Sequence, residues 1–351
     1  GNVVLKNGTL KVADADASEF YILVQNYTDL TVENMTLDGS NLDKWSKVEN
    51  NWDSYTLSNN SGEVNIINTK IYANDEGVNA FAFDVDNNAN YTSKPVVNVS
   101  GENTLVRGNV EVDLPNNLNI SGGTFTVEIA EAWCADGFIP KDNGDGTWTV
   151  KEGQYVARIG ETGYENLDDA FEAAQDDDEV KILVAGTYAV PTGKNITITG
   201  AVDGVVFDMP KNNYSYIGVN AGLTFNNVTF DYGNYIYVGL AHCTDMVYNN
   251  CIINGQVFLY GTSETFNNCT FNQNSADAYN VWTYGAKEVA FNECTFNSAG
   301  KSVLVYNEGA CATDLTVTDT KFIASATVDD KAAIEIDCSL MPKGTSIVID
   351  G

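Results

Sequence analysis

Histidine occurs once in this 351-residue chain, at position 242, and arginine only twice, at 107 and 158. A zinc centre needs three or four convergent ligands, and a Cys/His nucleophile needs a third group to orient its base. His242 adjoins Cys243, but neighbouring residues on a strand point to opposite faces and no third partner is identifiable. Neither a metal nor a cofactor is therefore expected. Positive charge is also scarce: 18 Lys and Arg face 48 Asp and Glu, a net charge of −30. Such a surface repels nucleic acid, anionic membranes and polyanions unless cations bridge them. Neutral or cationic partners fit better, and the charge serves either solubility or the steering of a partner or metal. No apolar run reaches 18 residues and no charged-then-apolar leader opens the chain, so direct membrane contact is not expected. Seven cysteines are an odd number, which excludes a complete disulfide framework. The first residues, Gly1-Asn2-Val3-Val4-Leu5, and the last, Ser346-Ile347-Val348-Ile349-Asp350, both lie inside strand-like patterns, as expected of a piece of a longer protein.

What is abundant is apolar, aromatic and turn-forming. Hydrophobic residues make up 44% and aromatics 11%, with 30 glycines, enough to bury a large core with many short strands and turns. An internal repeat fixes how those strands are used. Phe225-Asn226-Asn227-Val228-Thr229-Phe230 returns as Tyr248-Asn249-Asn250-Cys251-Ile252-Ile253, Phe266-Asn267-Asn268-Cys269-Thr270-Phe271 and Phe291-Asn292-Glu293-Cys294-Thr295-Phe296, and more weakly at Val317 to Phe322. A spacing of about two dozen residues, irregular from copy to copy, suits coils of short strands joined by turns of variable length around one shared interior. Asn227, Asn250 and Asn268 are expected to stack about 4.8 Å apart, amide on amide. Cys251, Cys269 and Cys294 form the next column, either as small inward-facing residues or as a disulfide between adjacent coils.

The motif continues towards the N-terminus at Val32 to Leu37, Ile66 to Ile71 and Ile120 to Phe125, with a long loop between Asp38 and Ser54 that carries Trp45 and Trp52. The pattern breaks over 127–159, where Asp142-Asn143-Gly144-Asp145-Gly146 reads as the turn of a hairpin; it lacks the length and distal Glu of a calcium loop. One helix is predicted at about 166–175. Asn166 caps it, and Leu167, Ala170, Phe171 and Ala174 share a face that can cover the open end of a coil stack. This helix, followed by Val180-Lys181-Ile182-Leu183-Val184 and Gly186-Thr187-Tyr188, resembles the capping helix and first strands of pectin-lyase-like β-helix proteins, in tandem as in large bacterial surface proteins. The resemblance implies an all-β, right-handed parallel β-helix in two units, 1–126 and 160–351, joined by a hairpin-containing linker.

Resemblance does not supply the chemistry. Pectate lyases of this fold use an arginine base beside calcium-binding aspartates, and polygalacturonase-like members carry Asn-Thr-Asp, Asp-Asp, Gly-His-Gly and Arg-Ile-Lys. That set is absent here, so no catalytic residue is nominated, although 48 acids could still place two carboxylates at glycosidase separation. A stripe of aromatics stands out instead. If Ile236, Val238, Val257, Leu259, Val281, Val303, Val305, Ile334 and Ile336 face inward, alternation turns Tyr237, Phe258, Tyr260, Trp282, Tyr284 and Tyr306 outward as a ladder flanked by Glu335 and Asp337. Two readings of the stripe stand: a sugar- or protein-binding face, or a stripe that is covered by a loop or merely stiffens the sheet through cross-strand pairing. The function expected is a binding or adhesion module on an extracellular surface, its ligand a carbohydrate or a surface protein; the alternative is a polysaccharide-active enzyme with an acidic groove.

Overall fold

A computed structural model describes all residues except 14–19, 43–52, 75–78, 88, 192, 209–221, 232–238, 241–244, 260–261, 284, 307–311, 326–331 and 338–344. The loop tryptophans Trp45 and Trp52, His242, Cys243, Ile236, Val238, and the stripe residues Tyr237, Tyr260 and Tyr284 lie outside the described residues.

The chain divides into two compact units, Gly1–Gln154 and Tyr155–Gly351. Each is built on three sheets whose strands pair in parallel with the strand one coil away, apart from hairpins at one end. Parallel neighbours 18 to 35 or so residues apart, joined by turns rather than crossover helices, make each unit a β-solenoid.

In the second unit the sheets hold ten, seven and five strands. Their interior follows from the repeat. The first motif position stacks as Phe225, Tyr248, Phe266 and Phe291, with the Tyr248 and Phe266 rings 4.4 Å apart and 5° from parallel. The last stacks as Phe271, Phe296 and Phe322. The two ladders meet edge-to-face, as at Phe291 and Phe296, 5.1 Å and 86°. Edge-to-face pairs of this kind add about 0.5–1.5 kcal/mol each beyond burial.

Between the ladders lies the turn that sets the coil. Asn227, Asn250 and Asn268 have φ of 57°, 54° and 51°, the left-handed region that asparagine tolerates best after glycine. Their amides form the expected ladder, Asn250 donating to Asn227 at 3.3 Å and Asn268 to Asn250 at 2.7 Å. A second ladder beside it runs Thr199, Asn226, Asn249, Asn267, Asn292 at 2.8–3.0 Å. Cys251, Cys269 and Cys294 are free and buried, each Sγ within hydrogen-bond distance of a main-chain carbonyl of the preceding coil, such as Phe225 O at 3.5 Å. The small-inward reading of this column holds, and the inter-coil disulfide does not.

The predicted helix spans Leu167–Ala173. Asn166 Oδ1 accepts from the Asp169 N–H at 2.8 Å, and Leu167, Ala170 and Phe171 are buried in the same cluster as the first coil. At the other end Lys194 Nζ donates to the carbonyls of Phe171, Glu172 and Ala174 at 2.5–2.7 Å, satisfying groups the helix leaves open.

The first unit repeats the plan with sheets of five, seven and four strands around Val32, Ile66, Val99 and Ile120. The hairpin Phe138–Asp142 with Trp148–Glu152 sits where the turn chemistry places it, but it does not hang free as linker. It pairs antiparallel with Thr124–Phe125, and Val150 joins the core of that unit. The segment thus covers the last coil of the first solenoid.

Candidate functional site

The third sheet of the second unit consists of Gly239–Leu240, Val257–Leu259, Tyr279–Trp282, Lys301–Tyr306 and Ile334–Asp337. Val257, Val281, Val303 and Ile334 are in register, the first three fully buried in the core. Alternation therefore sends the adjoining column outward: Phe258, Trp282, Leu304, Glu335. None of these four belongs to the core cluster.

The outer column is not the open ladder expected from alternation alone. Phe258 is only 4% exposed and Leu304 7%, while Trp282 and Tyr306 remain half-buried. The rings also fail to stack. Trp282 stands at their centre with Phe258 at 5.0 Å, Tyr279 at 5.6 Å and Tyr306 at 6.2 Å, interplanar angles 84°, 79° and 68°. Each ring instead offers its edge to the next ring's face, an arrangement the aromatic quadrupole favours. Phe258 is consequently a support beneath Trp282 and not a contact surface. Among the described residues of this column, Trp282 and Tyr306 carry the accessible aromatic area.

Beside the rings lies a bridge that strand alternation did not reveal. Tyr279 Oη donates to Glu335 Oε2, and Lys301 Nζ donates to Tyr279 Oη and, at 2.9 Å, to Glu335 Oε2. Lys301 also stands 4.6 Å from the Tyr279 ring centre, within cation–π reach. The hydrogen bond from Tyr279, then Lys301, holds the Glu335 carboxyl below its usual range; the Tyr279 bond, then Glu335, raises Lys301. Burial first, then Glu335, raises the Tyr279 phenol. Glu335 is thus a fixed anion with its charge largely answered, and Asp337, half-exposed on the same strand, is its nearest acidic influence. Tyr279 and Lys301 escaped the pattern because they precede the alternating core of their strands, after Ala278 and Gly300.

The first unit has a counterpart. On its third sheet Tyr55 stacks on Phe81 at 5.3 Å and 18°, and Tyr55 Oη donates to Glu111. Tyr55 and Glu111 are 56 residues apart, as are Tyr279 and Glu335, so in both units a tyrosine reaches a glutamate two coils further on. That equal spacing is the signal by which the sequence could have yielded both pairs. Next to Glu111 in register is Asp84, 3% exposed, accepting from Ser58 Oγ at 3.0 Å and from the Asn59 N–H. Burial outweighs those hydrogen bonds and raises Asp84 to about 7. Glu111 is also raised, by burial first and then by the acids around it, against the lowering effect of Tyr55.

Among the described residues no group of three or more His, Cys, Asp or Glu is placed to hold a metal ion. No described helix is long and apolar enough to cross a membrane. No family model matches the chain, and no curated protein matches it.

Proposed function

We propose that this chain is a binding or adhesion module of an extracellular surface protein, a pair of right-handed parallel β-helices of the pectin-lyase-like kind, which holds a neutral carbohydrate against the third sheet of its second unit. The observation that carries the reading is the half-buried Trp282 and Tyr306 pair, braced from below by Phe258 and flanked by the Lys301–Tyr279–Glu335 bridge. Rings supported in this way present rigid apolar area at small entropic cost, and a charge-compensated polar rim gives directed hydrogen bonds to hydroxyls. A surface protein is the alternative occupant. The net charge of −30 speaks against a polyanion in either case. The test is affinity electrophoresis against immobilised neutral glycans with Trp282→Ala and Tyr306→Ala. Retention should fall by about 2 kcal/mol for the better-packed ring. Undiminished retention in a correctly folded Trp282→Ala variant would remove the assignment.

A second reading, a polysaccharide-active enzyme, is favoured by one observation in the first unit: a buried Asp84 with a raised pKa beside Glu111 and Tyr55, the environment in which a carboxylic acid keeps its proton near neutral pH. Release of reducing ends from a neutral glycan, abolished by Asp84→Asn, would establish it in place of the binding role.

A further inference from the structure

A polar concavity of the second unit lies on a different sheet. It measures about 530 Å³, within the range of small-ligand sites, and opens on the outer face of the second sheet. Asp231, Asn254, Asn272, Asn297 and Ile323 line it as one in-register column. Their neighbours Phe230, Ile253, Phe271 and Phe296 are fully buried, so the column faces out. At about 4.8 Å per rung the five positions span about 19 Å.

Three of the five rungs are amides locked to one another. Asn272 Nδ2 donates to Asn254 Oδ1 and Asn297 Nδ2 to Asn272 Oδ1, both at 2.9 Å. These bonds use one N–H and one acceptor lone pair of Asn272, and a primary amide has two of each. The ladder therefore fixes the amides in orientation and repeats a donor and an acceptor along the groove. Gln273 is 4% exposed, its Oε1 fixed by the Ser275 N–H at 2.8 Å, and Ser325 closes the rim. Asp231 is the one ionisable side chain of the lining, and at the opposite end Ile323 is 50% exposed.

We infer that this groove is a second binding site, for a neutral, hydroxyl-rich oligosaccharide laid along the solenoid axis. A hydroxyl both donates and accepts, as the amide rungs do. A lining with a single carboxylate gives no charge complementarity to a charged chain, and one exposed apolar rung suits the ring face of a terminal sugar. A peptide strand would need an open sheet edge, whereas here the backbone groups are already paired between coils. The site shares its ligand class with the proposed function but uses none of its residues, so the two stand or fall apart.

The experiment is a titration of the Asn and Gln side-chain amide signals and the Trp indole signals of the ¹⁵N-labelled protein with cello-, manno-, xylo- and chito-hexaose. The inference expects the amides of Asn254, Asn272 and Asn297 to shift with at least one hexaose. Asn272→Leu should weaken that binding by about tenfold or more. Ile323→Ala, at an exposed position outside the ladder, should weaken it by about threefold and leaves the fold out of question. Shifts confined to the Trp282 indole would overturn the groove while supporting the aromatic face; shifts confined to the groove amides would do the reverse. No shift at the groove amides with any of the four sugars overturns the inference outright.

Discussion

At the residue scale, the left-handed corner shows where the repeat is imperfect. Asparagine holds it at 227, 250 and 268, but Glu293 takes φ 54° in the next coil. Glutamate gains nothing local from that conformation, and its Cβ crowds the carbonyl at a cost of about 1–2 kcal/mol. Glu293→Asn should recover about 1 kcal/mol and let a new amide donate to Asn268. Thermal unfolding would show it as a rise of about 2–4 °C; an unchanged or lower midpoint would mean that Glu293 is held by something the corner does not explain. Asp84 carries the opposite kind of cost. Its carboxyl binds a proton more tightly in the fold, near 7, than in the unfolded chain, near 3.9. Its contribution is therefore whole below about pH 4 and is lost as pH rises through about 7, at most about 4 kcal/mol. Stability of the wild type should fall over that window more steeply than that of Asp84→Asn, a difference that cancels the general effect of the other acids. The cysteine column gives a third expectation. Cys269 is pushed up to about 12 by its hydrogen bond with Cys251 and by burial, and all three thiols are about 1% exposed. Iodoacetamide should leave them unmodified in the native protein and label them on unfolding; rapid native labelling would contradict the packing.

At the element scale, the capping helix was legible because two independent signals coincide in it: an Asn166 cap and a 3.6-residue apolar face. Phe171 is 8% exposed in the first coil's cluster, so Phe171→Ala should cost about 3–5 kcal/mol by chemical denaturation. A loss below about 0.5 kcal/mol would show the face to be unpacked. The hairpin was legible from its turn residues, but its partner was not, because antiparallel pairing with Thr124–Phe125 depends on where the last coil ends. The aromatic stripe was legible only in direction. Alternation places Phe258, Trp282 and Tyr306 outside the core, yet it carries no information on ring tilt or on what covers a ring, and so it predicts a ladder where the structure has an edge-to-face cluster. The Lys301–Tyr279–Glu335 bridge joins residues from three coils, and no window on one strand contains it.

At the scale of the whole molecule, the constant part of the coils from Leu223 to Ala324 is the two-residue corner between the first and second sheets, while coil length varies elsewhere. From Asn250 to Asn268 the chain advances 18 residues and returns to the same backbone conformation, the same ladder and the same register on the first and second sheets. Residues 251–268 are therefore a removable unit. Excision would join Asn250 to Cys269 across a corner of unchanged geometry, shortening the solenoid by one rung without a new kind of contact. Duplication of the same stretch would lengthen it. The corner thus makes the coil a unit of inheritance as well as of structure: gain or loss of whole coils lengthens or shortens the amide groove and the outer face of the third sheet in steps of about 4.8 Å, so the size of ligand this surface accommodates can change by recombination of whole coils.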